Sequence, residues 1–433
     1  MAQSMTRPSP LSYWLASAPA FDGAAAGAPE GEVEVAVIGG GFTGLSAALA
    51  LREQGASVAV LEAGQVIGEA SGRNGGQCNN GTHQDYGALV ASLGRDKAQR
   101  FYRAHVDAVN TVERVTAHHG IDCSFRRCGR LKLAAKPEHF AKIESAYALL
   151  KAEVDPHVEL IAPGDIGSEV ASSQYHGGLL QTTSAQLHPG RFGMGLARAA
   201  AAAGAAIYEN SPVTGLERAA GRGWTVTAGS GHIRARQVLV ATGGAPPQAP
   251  FRWFQRRLVA VGSFIIATEP LALALVERLF PNRRNYVTSR VMGNFFRLTQ
   301  DDRLIFGGRA RFAISDSRSD AKSGTILVAA MRRMFPELAD TRVDHVWGGM
   351  VDLTADRLPR AGEHEGLFYA MGYSGHGVQM SVHMGGQMAR YMGGDIAANP
   401  WEDLAWPAIP GHLGKPWFLP AVGAWYKLQD ILH

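Results

Sequence analysis

The stretch from Glu34 to Gln77 constrains the fold of this chain more than any other. It opens on an apolar run, Val35-Ala36-Val37-Ile38, which reads as a buried strand of a parallel sheet. The run passes straight into Gly39-Gly40-Gly41-Phe42-Thr43-Gly44, which fits G-x-G-x-x-G at Gly39, Gly41 and Gly44. A helix follows, with Leu45, Ala48, Leu49 and Leu51 as its apolar positions and Gly55 as its stop. A second strand, Val58 to Leu61, ends on Glu62, with Ala63 after it. Gly39 permits the tight turn, Gly41 lets a pyrophosphate approach the backbone, and Gly44 lets the helix pack close to the sheet. The helix start offers N–H groups and a positive dipole end to phosphate. Glu62 is placed to accept hydrogen bonds from ribose hydroxyls, and its charge repels a 2′-phosphate. The stretch predicts a bound adenine dinucleotide other than NADP.

The sequel, Ala70-Ser71-Gly72-Arg73-Asn74-Gly75-Gly76-Gln77, is too polar and glycine-rich to fill a core. A solvated surface loop is one reading. The other is contact with a cofactor: Ser71, Arg73 and Asn74 can bond a pyrophosphate and ribityl chain. Gly75, Gly76 and the backbone up to Gln77 can lie along a flat isoalloxazine ring, which favours FAD over NAD. GGGFTGL, the distal Glu62 and ASGRNGGQ together resemble the D-amino-acid oxidase/glycine oxidase superfamily of FAD enzymes, and within it the γ-glutamylputrescine oxidase-like branch. The resemblance implies an α/β fold of the glutathione-reductase-type (DAO) kind. In it a discontinuous Rossmann-like FAD-binding domain is joined to a mixed-sheet substrate domain.

On that reading residues 1–30 are a lead-in. Residues 31–120, 189–250 and 346–400 form the FAD-binding domain, 121–188 and 251–345 the substrate domain, and 401–433 a segment packed on the body. The lead-in is Ala/Gly/Pro-rich except at Ser12-Tyr13-Trp14, where aromatic residues pin it to the body. A helix is expected over about 95–119, with Phe101, Val106, Val109 and Val112 on one face. His118 and His119 fall at its end, a capping rather than a metal-binding position. A second helix, about 190–203, starts from Pro189. Val238 to Gly244 is an apolar strand running into a turn at Thr242-Gly243, whose glycine lets backbone pass close to FAD. Residues 251–345 carry short strands at 264–268, 287–288, 295–298 and 304–306 and a helix about 322–334. Finally, a strand from Gly366 to Met371 turns through Gly372-Tyr373-Ser374-Gly375-His376-Gly377-Val378 into a helix ending near Gly393. This is again a glycine turn and helix start after a parallel strand.

The resemblance carries further positions. It puts the backbone at Val213 against the adenine, and Gly375, His376, Gly377 and Val378 by the pyrimidine edge of the flavin. Arg297, Arg303 and Arg309 are candidate electrostatic groups, a solvated strand face being the alternative for each. Tyr373, Gln379, Trp347 and Phe295 are candidates for the pocket wall, or else simply core. Sarcosine oxidase-like members carry a lysine where this chain has Gln379, and glutamine cannot neutralise a carboxylate. Some relatives attach flavin through a cysteine in the segment that here runs from Trp347 to Arg360. None is present, so the FAD is expected to be non-covalent.

The implied function is FAD-dependent oxidation of an amine C–N bond, in a γ-glutamylputrescine-like or other amine or amino acid. Hydride passes to flavin and the imine is hydrolysed, with no essential side-chain base. Only one dinucleotide fingerprint is present. Reoxidation by oxygen with H2O2 release is therefore expected, or else a dehydrogenase that passes electrons to quinone or a partner protein. A tRNA-modifying or a non-catalytic FAD-binding protein are the readings from other classes. The net charge of +4 is spread over scattered arginines, which argues against a nucleic-acid partner. Cys78, Cys123 and Cys128 are odd in number with no C-x-x-C pair, as in a reducing cytoplasm, and Cys78 reads as structural. Met1 to Pro10 does not read as a secretory signal, and no apolar window is long enough to span a membrane. Pro416 to Leu428, rich in aromatics, allows at most peripheral membrane contact.

Overall fold

A computed structural model describes residues 8–219, 223–243, 250–308 and 310–432. Arg309 and Gly244 lie outside the described residues. The apolar runs found in the sequence are the strands of one parallel sheet, buried on both faces. Its order is Ala206–Tyr208, Val58–Leu61, Glu32–Ile38, Gly231–Val240 and Leu367–Met371. Ile38 is paired with Leu61 on one side and Val240 on the other, so the strands end level. Val35 and Val37 face a core shared with the helices Phe42–Glu53 and Gly377–Met392. Ala36 and Ile38 face the opposite core, built with Val213–Arg218 and Trp224–Ala228, strands that extend this sheet as an antiparallel meander. The two helices touch closely. A Cβ at Gly385 would overlap the Thr43 carbonyl, and the Ser46 hydroxyl donates to the Val382 carbonyl at 2.7 Å.

A second, mixed sheet has the order Val343–Leu353, Val259–Pro270, Arg303–Gly308, Asn294–Leu298, Asn285–Thr288, Arg130–Leu133, Gly178–Gln181 and Val158–Ile161. Its pairs are antiparallel except Asn285–Thr288 with Arg130–Leu133. Period-2 alternation divides its faces. Leu131, Leu180, Phe264, Tyr286, Phe296 and Phe306 fill a core with Leu327 and Met331 of the helix Ser317–Met334. The other face turns toward residues 73–76. Trp347 Nε1 donates to the Arg73 carbonyl at 2.9 Å, and Arg297 Nε to the Gly75 carbonyl at 2.7 Å.

Three local expectations differ in detail. The glycine-rich loop contains a helical turn, Ala70–Arg73. The helix expected from about 322 starts at Ser317, because the Asp316 carboxylate accepts from the Ser319 N–H at 2.7 Å and caps it earlier. The boundary drawn at 345/346 falls inside a strand that stays paired in the mixed sheet from Val343 to Leu353. The lead-in is pinned as its aromatics suggest: Trp14 is buried, its Nε1 donates to the Asn74 carbonyl at 2.7 Å, and Ser12 Oγ donates to the Gly72 carbonyl at 2.8 Å. At the other end Leu419, Val422 and Tyr426 pack against Val261, Phe312 and Leu353, while Trp417 and Trp425 stay exposed. Among the described residues no helix is long and apolar enough to cross a membrane.

Candidate active site

The sequence motifs converge at the carboxyl ends of the parallel strands. Gly39 has φ +110°, and a Cβ on it would lie 2.7 Å from the Ala241 carbonyl oxygen. The turn at Ala241-Thr242-Gly243 therefore rests directly on the first glycine turn. A Cβ at Gly44 would overlap the Gly39 carbonyl oxygen. Gly41 is the N-cap of Phe42–Glu53 and offers no side chain to cap it. The Phe42 N–H donates to Ser71 Oγ at 3.0 Å, which brings Ser71 to the helix start. The Glu62 carboxylate accepts from the Gly40 N–H at 2.6 Å and the Gly64 N–H at 2.8 Å. The Ser211 N–H donates to the Glu62 carbonyl at 2.7 Å, so 210–213 runs beside Glu62-Ala63-Gly64 and Val213 packs in the core with Ile38 and Leu61.

The rest of the glycine loop is held by protein. Arg73 donates from Nε to the Gly68 carbonyl at 3.0 Å and from Nη1 to the Gly348 carbonyl at 3.1 Å. Asn74 bonds the Ser71 carbonyl at 2.7 Å and the Gly76 N–H at 2.9 Å, fixing its own turn. Gln77 Nε2 donates to the Phe296 carbonyl at 3.2 Å. Gly75 lies under the Phe295 ring and Gly76 against the Arg297 guanidinium, each too close for a Cβ. Arg297 is buried and donates also to the Leu187 carbonyl at 2.7 Å, so the solvated-face alternative does not hold for it. Arg303, by contrast, pairs with Asp301 at 2.9 Å and Asp344 at 2.6 Å.

The second helix start mirrors the first. Gly372, Ser374 and Gly375 all have positive φ, and the Ser374 N–H donates to the Asp352 carbonyl at 3.0 Å. His376 is the N-cap of Gly377–Met392 and makes no side-chain cap. Tyr373 Oη lies 2.9 Å from Thr43 Oγ1, which ties the two helix starts together. Burial raises the Tyr373 phenol pKa, so it stays neutral. His376 Nδ1 is buried without a partner among the described residues, and the rings of His105 and His83 lie 5.7 and 6.1 Å away, centre to centre. Burial, then the neighbouring His105 and His83, hold the His376 ring well below the ordinary histidine range.

Phe295 and Trp347 thus share one face of the mixed sheet, while Tyr373 and Gln379 belong to the second helix start. Gln379 is buried and donates from Nε2 to the Asn79 carbonyl at 2.6 Å, and among the described residues its Oε1 has no partner. Beyond Asn79 stands a polar group that sequence reasoning did not assign: Asn80, Tyr102, His105, Arg130 and Gln181. Asn80 Nδ2 bonds Asp155 at 3.0 Å, and Gln181 Nε2 bonds Tyr102 Oη at 2.8 Å. The available signal was a charge alternating with leucine in Arg130-Leu131-Lys132-Leu133. The three cysteines are free and buried, with burial raising the thiol pKa of Cys78 and taking that of Cys123 to about 11. His119 is the C-cap residue of Arg95–His118, and its Nε2 lies 3.4 Å from Glu53.

Three histidines make the fold acid-sensitive. His105, His188 and His383 are buried, and burial pushes each ring down to about 4. Unfolded, each takes up a proton near pH 6.5. The unfolded chain therefore binds more protons between pH 6.5 and about 4, and stability falls on acidification through that window. The slope reaches about 1.4 kcal/mol per pH unit for each histidine. Urea midpoints at pH 7 and pH 5 measure it, and equal midpoints would show these rings already protonated in the fold.

Comparison with known proteins agrees with this geometry. A family model described as FAD dependent oxidoreductase (DAO) matches residues 34–391. "Probable oxidoreductase OrdL" of Haemophilus influenzae is 32% identical over 80% of each chain. Gamma-glutamylputrescine oxidoreductase of Escherichia coli is 30% identical over 92% of this chain and 93% of its own. Among solved structures, glycine oxidase from Geobacillus kaustophilus superposes with a TM-score of 0.71 at 19% identity, covering 89% of this chain and 99% of that one.

Proposed function

Because this chain belongs to the DAO family of FAD dependent oxidoreductases, which act on amines or amino acids, we propose that it oxidises the C–N bond of a γ-glutamylputrescine-like or other amine. Hydride leaves the α-carbon, water hydrolyses the imine, and oxygen is the final acceptor, with H2O2 released. One observation carries the reading. Two helix starts whose own N-cap residues supply no side-chain cap, each at the end of a parallel strand, are joined through Thr43 and Tyr373 beside the Glu62 carboxylate. That donor set suits an elongated dinucleotide with a pyrophosphate at one helix start and an electron-rich ring edge at the other.

Gly39, Gly41, Phe42, Thr43 and Gly44 would hold the pyrophosphate, Glu62 and Ala63 the ribose, and Val213, Thr242 and Gly243 the backbone flanking the nucleotide. Residues 71–77 would run along the ring, with Gly375 to Val378 at its pyrimidine edge. FAD, when bound, supplies the two-electron acceptor. The N–H groups opening Gly377–Met392 favour negative charge at that edge. Phe295 and Trp347 on the sheet above exclude water, and a neutral His376 adds no cation against the substrate ammonium. Excluding water favours the free-base amine. The absence of cysteine from Trp347 to Arg360 supports dissociable FAD. The three free, buried thiols support a cytoplasmic site.

The division of most strands between two eight-stranded sheets supports the two-domain organisation drawn from the sequence. The exposed Trp417 and Trp425 favour the second reading, a dehydrogenase that delivers electrons to a quinone or partner protein. Anaerobic titration of the purified protein with γ-glutamylputrescine, sarcosine, glycine and D-amino acids tests both. Bleaching of a flavin spectrum by one of them, with rapid recovery in air, is the expected result. Slow recovery would select the dehydrogenase, and flavin that no amine reduces would overturn the function.

A further inference from the structure

Resting on that reading, we propose that Arg130 anchors a carboxylate carried by the substrate far from the reacting carbon. The substrate class is then an amine with a remote carboxylate. In Arg130–Leu133, Leu131 and Leu133 enter the core behind the mixed sheet, so Arg130 and Lys132 project from its front. Arg130 is in register with Gln181 on one neighbouring strand and Asn285 on the other, which puts the three side chains in one row. That row reaches the second helix start. Gln181 bonds Tyr102 at 2.8 Å, Asn285 Nδ2 bonds Asn79 Oδ1 at 2.9 Å, and the Asn79 carbonyl accepts from Gln379 at 2.6 Å.

The cations around Arg130 are satisfied. Lys132 pairs with Asp85 at 2.8 Å, Arg284 pairs with Glu169 at 2.6 Å, and Arg297 is held by the Gly75 and Leu187 carbonyls. Arg130 has neither a hydrogen-bond acceptor nor an ion-pair partner among the described residues, and its Nε is buried. Burial lowers its pKa from the ordinary arginine value, and the attraction of Tyr102 and Asp85 offsets this only in part. A planar guanidinium in a row of polar side chains matches a carboxylate through paired N–H bonds. Asn80 Oδ1 and Gln181 Oε1, buried in the same group without donors among the described residues, are suited to N–H groups next to that carboxylate. Gln379, which carries no charge, is thus complemented by a cation on the facing sheet.

The test compares γ-glutamylputrescine with N-(4-aminobutanoyl)putrescine, which keeps the chain and both amino groups and lacks only the carboxylate. Both are run with FAD-loaded wild type and Arg130→Met, with glutarate binding followed by calorimetry alongside. Wild type is expected to prefer the carboxylate-bearing amine in kcat/KM. Arg130→Met should cut that preference roughly 100-fold, chiefly through KM, and lose glutarate binding. An unchanged preference or unchanged glutarate binding in the variant would overturn the proposal, as would wild type treating both amines alike. Should Arg130→Met fail to fold, Arg130→Lys keeps the charge but not the planar fork, and must still weaken glutarate binding. Oxidation of neither amine would overturn the γ-glutamylputrescine-like substrate of the proposed function alone, because glutarate calorimetry reads the anion site independently.

Discussion

Gly44→Ala is expected to purify without flavin and to lose roughly 3 kcal/mol of stability. A Cβ at Gly44 would overlap the Gly39 carbonyl oxygen, a backbone atom that cannot rotate away. The carbonyl sits in the turn at φ +110° that also contacts Ala241, so relief must come from lifting Phe42–Glu53 off the sheet. That movement separates the Phe42 N–H from Ser71 Oγ and the Thr43 hydroxyl from Tyr373. The ratio of 450 nm to 280 nm absorbance and a urea melt measure the two losses. Gly386→Ala is the control: it lies in Gly377–Met392, and nothing stands within 4 Å of its Cβ position. The alanine there should be neutral or stabilising. Full flavin content in Gly44→Ala would show that the close helix–turn approach does not matter for the cofactor.

Arg297→Leu should be similarly severe, at about 3–5 kcal/mol, because it strips a buried cation from several carbonyls at once. Arg297 donates to Gly75 at 2.7 Å, to Leu187 at 2.7 Å and to Leu298 at 3.3 Å. Its guanidinium also lies 4.9 Å from the centre of the Trp14 ring. Leucine leaves those carbonyls buried and unpaired and frees the loop at Gly75 from the mixed sheet. Arg297→Lys keeps a charge but reaches fewer of the acceptors, and should fall between. Equal urea midpoints for wild type and Arg297→Leu would place the loop's stability elsewhere.

The parallel sheet was legible because strands buried on both faces read as unbroken apolar runs, at 35–38, 58–61, 238–240 and 367–371. The turns between strand and helix were legible for a different reason: glycine best tolerates positive φ, and only glycine fits the close approaches at Gly39 and Gly44. The mixed sheet was less so. Nothing local in Arg130–Leu133 announces that it pairs with Asn285–Thr288 far along the chain. Arg297 in Asn294–Leu298 reads as a solvated strand position until Gly75 and Leu187 come within bonding distance. The helical turn Ala70–Arg73 was hidden by its glycine, since Ser12 and Trp14 of the lead-in hold the Gly72 and Asn74 carbonyls.

Two indoles, Trp14 and Trp347, thus donate to the consecutive carbonyls of Asn74 and Arg73, from opposite ends of the chain. The spectroscopic consequence is direct. Indole emission responds to the hydrogen bond at its nitrogen and is quenched by energy transfer to a nearby yellow chromophore. Part of this protein's ultraviolet fluorescence therefore reports on a single dipeptide, and a dye-free optical readout of its conformation is built into the fold.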